Sequence, residues 1–186
     1  MAKINFSDWS LKLIGSWLLA AICLLTMPNF AAAATTESAV KAGFIYNFSK
    51  YIEWPANAVE SNSYHLCVIG EDKREDSLDV LVGKMVGNKP LVLTRNVKLA
   101  NLKDCHMLFV IEDNNVHAEA LLTEIAALPI VTISDSPDFI LKGGMIGLIR
   151  DGNRVGFEVN LKPANAVGIR MSAQLLKLAK SVRGLK

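Results

Sequence analysis

The stretch that decides the fold is Val40-Lys-Ala-Gly-Phe-Ile-Tyr-Asn-Phe-Ser-Lys-Tyr-Ile-Glu-Trp-Pro55. Its apolar side chains recur every fourth residue, which is the period of an amphipathic helix. The stripe consists of Val40, Phe44, Phe48 and Ile52, and Tyr51 widens it. Pro55 predicts the end of the helix, because a proline pushes the residue before it out of the helical region.

The same stretch is rich in aromatic residues. Nine aromatic side chains lie beyond residue 34, and five of them fall here, including Trp54. Aromatic side chains bury more area than other residues. We therefore expect this helix to dock deeply and to nucleate the core, with Phe44 and Phe48 as core residues.

The first 34 residues have the features of a secretory signal peptide. Lys3 and Lys12 give a weakly basic start, an apolar run follows from Leu13 to Leu25, and the tract Ala31 to Ala34 offers a signal-peptidase site. The apolar run is shorter than the ~20 residues that cross a bilayer, and a retained anchor is the alternative. We predict export to the periplasm and cleavage near Ala34.

Cleavage there leaves 152 residues, 35–186, which suits a single domain with a proper core. This domain carries 18 basic and 17 acidic side chains and a formal charge of +1. Such a balance gives no support to a nucleic-acid partner or to binding an anionic membrane surface.

Short apolar runs alternate with helical patterns through the middle of the chain. The predicted strands are 64–69, 90–94, 105–111 and 130–133, and the predicted helices between them are 72–81 and 119–128. This alternation indicates crossover connections and a mostly parallel sheet covered on both faces.

The C-terminal third has a different pattern. Two strand-like runs, Met145 to Arg150 and Arg154 to Asn160, flank the turn Asp151-Gly-Asn153 and predict a β-hairpin. The last segment, Ala164 to Val182, has the apolar period of a long helix. The predicted fold class is therefore α/β: a three-layer domain with a mostly parallel β-sheet flanked by helices, a C-terminal β-hairpin and a long C-terminal helix.

Cys67 and Cys105 are the cysteines that remain after signal removal. In an oxidising compartment they predict a disulfide, which would close a loop worth about 4 kcal/mol in the chain-entropy model. Two buried free thiols are the alternative. A zinc site with His65 and His106 is disfavoured, because Cys105 and His106 are adjacent in a predicted strand and point to opposite faces.

Other chemistries are poorly supported. The Gly143-Gly144 and Gly83-Lys84 turns lack the full spacing of nucleotide-binding loops. Asp113 and Asp135 follow strands as a phosphoacceptor does, but aspartates are ordinary loop residues. We find no nucleophile motif paired with a base. The sequence therefore predicts no catalytic, cofactor-binding or metal-binding residues, and an enzyme is the last of the candidate functions.

Several motifs, in their order and spacing, resemble those of the YfiR-like family of periplasmic proteins. The resemblance opens with the stretch Val40 to Pro55 and extends from about residue 37 to residue 182. The later pieces are Cys67-Val-Ile-Gly70, Cys105-His-Met-Leu-Phe109, Thr132-Ile-Ser-Asp135, Phe139 with Gly143-Gly-Met-Ile146, Arg154-Val-Gly-Phe-Glu-Val-Asn160 and Ile169-Arg-Met-Ser-Ala-Gln-Leu-Leu-Lys-Leu-Ala179.

This resemblance implies a regulator without catalysis. The expected function is repression of an inner-membrane diguanylate cyclase through binding of its periplasmic domain, which lowers cyclic-di-GMP and biofilm formation. Sequestration by an OmpA-like outer-membrane lipoprotein and a homodimer are also implied. Cys67 and Cys105 match the family's structural disulfide, whereas the second cysteine pair of some relatives is missing.

Two further expectations concern where a partner or ligand binds. The hairpin is expected near a sheet edge, with Arg154, Glu158 and Asn160 on its polar face. Arg170 and Gln174, four residues apart on the predicted last helix, extend the same patch. The alternative function is a small-ligand-binding sensor module that feeds another membrane signalling protein, with its cleft at the carboxyl ends of the parallel strands.

Overall fold

The computed structural model describes residues 37–56, 58, 60–71, 78–113, 116–152 and 154–185. The predicted signal peptide, residues 1–34, lies outside this part of the chain, as do residues 72–77 of the predicted helix 72–81. Residues 79–81 of that prediction form a single 3₁₀ turn, Asp79–Leu81.

Within the described residues, ten strands form two sheets. They are β1 (Ile52–Glu53), β2 (Tyr64–Ile69), β3 (Met85–Val86), β4 (Lys89–Thr94), β5 (Met107–Val110), β6 (Val131–Ser134), β7 (Ile146–Asp151), β8 (Arg154–Asn160), β9 (Arg170–Met171) and β10 (Ser181–Arg183). The large sheet has eight strands in the order β10-β8-β7-β6-β5-β2-β4-β3, and β1 pairs with β9 in a separate two-stranded sheet.

The large sheet is mostly parallel, as the sequence predicts. Strands β4, β2, β5, β6 and β7 pair in parallel, whereas β8 runs antiparallel to β7 in the predicted hairpin. The central strands β5 and β6 are buried along their whole length. Strand β5 is accordingly apolar throughout, because helices cover both faces of the sheet. Strand β6 also carries Thr132 and Ser134, whose buried hydroxyls are hydrogen-bonded.

In the part of the chain that the structure describes, four α-helices and two 3₁₀ turns accompany the sheet. The helices are α1 (Glu37–Tyr51), α2 (Ala118–Glu124), α3 (Leu161–Ala166) and α4 (Ala173–Leu178), and the second 3₁₀ turn is Leu99–Asp104. One apolar cluster joins α1 to β8 through Ile45, Phe48 and Phe157. A second, on the opposite face, joins α2 to β5 through Leu108 and Leu121. The three-layer prediction is confirmed.

Helix α1 begins and ends earlier than its sequence pattern predicts. It ends at Tyr51, not near Pro55, because Ile52 leaves the helix and pairs with Met171 in the two-stranded sheet. Its buried residues are Ala42, Ile45, Phe48 and Ser49. The predicted stripe is therefore offset from the observed face, and Phe44 is only partly buried at its border.

The prediction of a long C-terminal helix is wrong. Residues 164–182 instead contain the end of α3, then β9, α4 and β10. Gly168 adopts a positive φ of 75°, which ends the helical path. Ser172 restarts it by accepting a hydrogen bond from the N–H of Leu175 at 3.2 Å. Val182 then pairs with Val159, so this segment returns to the large sheet.

Candidate functional site

The disulfide joins two neighbouring strands. Cys67 lies in β2 and Cys105 precedes β5, and their Cα atoms are 5.9 Å apart. Both residues are buried, and β2 and β5 pair in parallel, as the sequence predicts. Since both sulfur atoms are used in this bond, they are not metal ligands. Among the described residues, no group of histidine, cysteine and acidic side chains has a metal-binding arrangement.

The two histidines beside the disulfide serve the fold. The ring Nδ1 of His106 accepts a hydrogen bond from the backbone N–H of His65 at 3.1 Å. The indole N–H of Trp54 donates to the carbonyl oxygen of His106 at 3.1 Å. Tyr64 stacks on the same imidazole, and burial raises the pKa of its phenol well above the usual value. These contacts tie the residues after α1 to β2 and β5.

Charged residues join α1 to the carboxyl ends of the parallel strands. The ammonium of Lys41 lies 2.6 Å from the carboxylate of Asp135, which follows β6, and 2.8 Å from the carboxylate of Glu37. Glu37 also pairs with Arg150 of β7. The carboxylate of Asp113, which follows β5, accepts a hydrogen bond from the backbone N–H of Glu71 at 2.8 Å. Both aspartates considered as phosphoacceptors thus have bonds that hold loops in place.

Another ion pair, Glu112–Lys142, follows the end of β5. The ammonium of Lys142 is 2.8 Å from the Glu112 carboxylate. The hydrogen bond from Lys142 lowers the pKa of Glu112 most. Bonds from the Ala118 N–H and from Ser136 add to this effect, and burial opposes it.

Three of the predicted partner-binding residues lie on β8. Glu158 accepts a hydrogen bond from the hydroxyl of Ser181 at 2.8 Å. Asn160 caps α3 by accepting the N–H of Lys162 at 3.2 Å, and it donates to the carbonyl of Ile140 at 3.1 Å. Arg154 is exposed at the hairpin. The hairpin lies near an edge of the large sheet, as expected, and the edge strand itself is β10, which pairs with the outer side of β8.

The other two predicted residues belong to different elements. Arg170 lies in β9 and pairs with Glu53 of β1 at 3.0 Å, with the two side chains 80% and 71% exposed. Gln174 is exposed on α4. The prediction that they share one helix face is therefore wrong, because the chain is extended at Ser172 between them.

The five residues do not form one patch. Phe157 packs its ring against Phe48 of α1 with centroids 5.0 Å apart, so the alternation along β8 turns Glu158 and Asn160 toward the opposite face of the sheet. Arg170 and Gln174 are on the α1 side, where β9 pairs with the strand after α1 and α4 packs against α1.

A surface that the sequence did not predict surrounds Arg170 and Gln174. We call it the β1–β9 surface and define it by Tyr51, Glu53, Arg170, Gln174 and Leu178. Tyr51 is 38% exposed and Leu178 is 72% exposed, and the N–H of Ser172 donates to the Tyr51 carbonyl at 2.9 Å. An aromatic side chain before β1 and an aliphatic one at the end of α4 are thus exposed on the elements that flank this open ion pair. No sequence pattern links Glu53 to Arg170; only the pairing of β1 with β9 does.

A cavity of about 430 Å³ lies on the other side of the molecule, between the end of α2 and α3. Its wall includes Ile130, just before β6, and Thr132, in the first half of β6, together with Lys142 and Lys162. The cavity is therefore not at the carboxyl ends of the parallel strands, where the ligand-binding alternative placed its cleft.

The fold and these sites define a disulfide-linked α/β domain with an open surface and an apolar cavity. The sequence model of the YfiR/HmsC-like family matches residues 38–180, and the protein belongs to this family. The resemblance seen in the motifs is thereby confirmed. No curated protein matches the chain.

A solved structure supports the fold. A conserved domain protein from Vibrio cholerae O1 biovar El Tor superposes with a TM-score of 0.50 at 11% sequence identity. The likeness covers 78% of this chain and 60% of the Vibrio protein. At this identity the likeness concerns the fold alone. Among the described residues, no helix is long and apolar enough to cross a membrane.

Proposed function

We propose that this protein is a periplasmic regulator that represses an inner-membrane diguanylate cyclase by binding its periplasmic domain. Repression lowers cyclic-di-GMP and, through it, biofilm formation. The observation that carries the proposal is membership of the YfiR/HmsC-like family over residues 38–180. The N-terminal signal features and the Cys67–Cys105 bond support an oxidising compartment.

The β1–β9 surface is the proposed docking site for the cyclase. Tyrosine and arginine are enriched at protein interfaces, where they contribute most of the binding energy. Tyr51 and Leu178 offer apolar contact area, and Arg170 and Glu53 can exchange their mutual bond for bonds to a partner. An OmpA-like outer-membrane lipoprotein as a second partner and a homodimer complete the proposal.

The test begins with deletion of the gene and complementation with the full chain. Cyclic-di-GMP is measured in both strains and in a strain that also lacks the candidate cyclase. Deletion is expected to raise cyclic-di-GMP only when the cyclase is present. The purified cyclase domain is then titrated with the protein. An unchanged cyclic-di-GMP level together with no binding would refute the proposal.

A second candidate function is a sensor module that reports a small ligand to another membrane signalling protein. The apolar cavity favours it, because its volume of about 430 Å³ lies within the range of about 300–1,000 Å³ usual for small-molecule sites. A purified protein that binds a ligand but has no effect on cyclic-di-GMP would favour this function over repression.

A further inference from the structure

The cavity between α2 and α3 combines apolar walls with a positively charged rim. Four buried apolar side chains contribute to the walls: Leu122, Ile125, Ile130 and Met145. Two lysines, Lys142 and Lys162, also line it, and no acidic residue is found among the described lining residues.

The polar groups of the wall are already engaged. The hydroxyl of Thr132 accepts the N–H of Met145 at 3.0 Å. The amide of Asn160 donates to Ile140 and accepts from Lys162. A ligand that needs many hydrogen bonds, such as a sugar or a nucleoside, would leave its polar atoms unpaired there, which is costly. The body of a fitting ligand is therefore apolar.

The rim selects the charge of the ligand's head. Lys142 is balanced by Glu112 at 2.8 Å, outside the cavity lining. Lys162 is exposed at the start of α3, and its ammonium adds positive charge that attracts an anion and repels a cation. An apolar interior beside two lysines therefore suits a ligand with an apolar body and an anionic head.

We propose that this cavity binds an amphipathic carboxylate with an unbranched alkyl chain, of the medium-chain fatty acid type. The alkyl chain occupies the space lined by Leu122, Ile125 and Ile130. The carboxylate lies at the rim near Lys162. This binding does not depend on the proposed repression of a cyclase, because it is a property of the purified protein alone.

The test is calorimetric titration of the protein purified from the periplasm and freed of lipid by solvent exchange. The probes are octanoate, decanoate, decanol and decyltrimethylammonium, each kept below its micelle concentration. Decanoate is expected to saturate one site, about 15-fold more tightly than octanoate, since each buried methylene contributes about 0.8 kcal/mol. Decanol is expected to bind at least tenfold more weakly than decanoate, and the cation more weakly still.

Variants locate the site. Lys162→Gln should weaken decanoate about tenfold and leave decanol unchanged, whereas the exposed control Lys177→Gln should change neither. Ala126→Trp and Ala166→Trp, at two exposed lining positions, should abolish binding of both probes with unchanged melting temperature. Decanoate binding that survives both tryptophan variants, or equal affinity for the anion and the cation, would overturn the proposal. So would the absence of saturable decanoate binding.

Discussion

Phe48 is the side chain through which α1 is fixed to the sheet. It is 1% exposed, and its ring lies 6.0 Å from Phe44 and 5.0 Å from Phe157, measured between centroids. Phe44 also touches Phe157, at 5.5 Å, but keeps part of its surface in solvent. The helical period places both rings near the core. The period does not show which of the two rings is more deeply buried. That depends on which side of the stripe packs against Phe157, which is far away in the sequence.

We predict that Phe48→Ala lowers the free energy of unfolding by about 3–5 kcal/mol, because it leaves a cavity in a closed part of the core. Phe44→Ala should cost clearly less, since its neighbours and water can fill the space. Urea unfolding of both variants, with equal slopes, measures the difference. Equal losses would show that the border position of Phe44 does not matter in solution.

Glu112 gives the fold a dependence on acid pH. Its bond with Lys142 lowers its folded-state pKa below the ordinary value of 4.5. The contribution of Glu112 to stability is therefore complete above that value and is lost as pH falls through the lower folded-state pKa. We predict that Glu112→Gln flattens the fall of the melting temperature between about pH 5 and pH 3. The exposed control Glu119→Gln should keep the wild-type slope; equal slopes in all three proteins would contradict the prediction.

At the scale of elements, the sequence predicts the parallel strands well and the C-terminal segment poorly. Strands β2, β4 and β6 each contain a short, mostly apolar run near glycine, proline or polar residues, and this pattern is local. The segment 164–182 also has a local pattern, but a misleading one. Its helical spacing is overridden by pairing of Met171 with Ile52 and of Val182 with Val159. These partners are distant in sequence, and no local propensity reports them.

Gly168 makes this correction testable. Its φ is 75°, and an added Cβ would lie 3.3 Å from the Cβ of Pro55. Gly152, with φ of 60° and open space around it, is the matched control. We predict a loss of about 1–2 kcal/mol for Gly152→Ala from the left-handed backbone alone, and a larger loss for Gly168→Ala because it also pushes on Pro55. Thermal unfolding compares the two, and the opposite order would contradict the observed turn.

The disulfide also acts between elements, because it links β2 to the entrance of β5. We predict that denatured, unreduced protein shows no free thiol, and that Cys67→Ala lowers stability by about 4 kcal/mol. The double variant Cys67→Ala/Cys105→Ala should lose about as much as either single variant, since the bond can be lost only once. Two reactive thiols per chain in the labelling experiment would disprove the bridge.

At the scale of the whole molecule, the sheet separates residues that the sequence pattern predicts on one surface. Arg170 and Gln174 lie on the α1 side, and Glu158 and Asn160 on the side of α2. The sequence identifies these residues as polar and solvent-facing candidates. It cannot assign them to one side, because the side depends on where the chain turns between β8 and α4. The long-helix error thus led directly to the error in the patch.

This separation changes what a charge reversal is expected to do. Arg170→Glu removes the exposed bond to Glu53 and places two acidic side chains on the β1–β9 surface. We predict that it weakens binding of the cyclase domain at least tenfold and raises cyclic-di-GMP. Its melting temperature should change little, because so exposed a pair contributes about 0–1 kcal/mol. The matched control is Lys103→Glu, which also replaces an exposed basic side chain with an acidic one and lies near Cys105. This variant should repress normally.

Glu158→Lys supplies the contrast between the two faces. It breaks the bond to Ser181 that helps to hold β10 against β8, so a lower melting temperature is expected while repression by the folded protein persists. Binding is measured at a temperature where all variants are folded, so that lost stability is not mistaken for a lost contact. If Glu158→Lys abolished binding and Arg170→Glu did not, the partner would dock on the α2 side and the β1–β9 surface would be the wrong assignment.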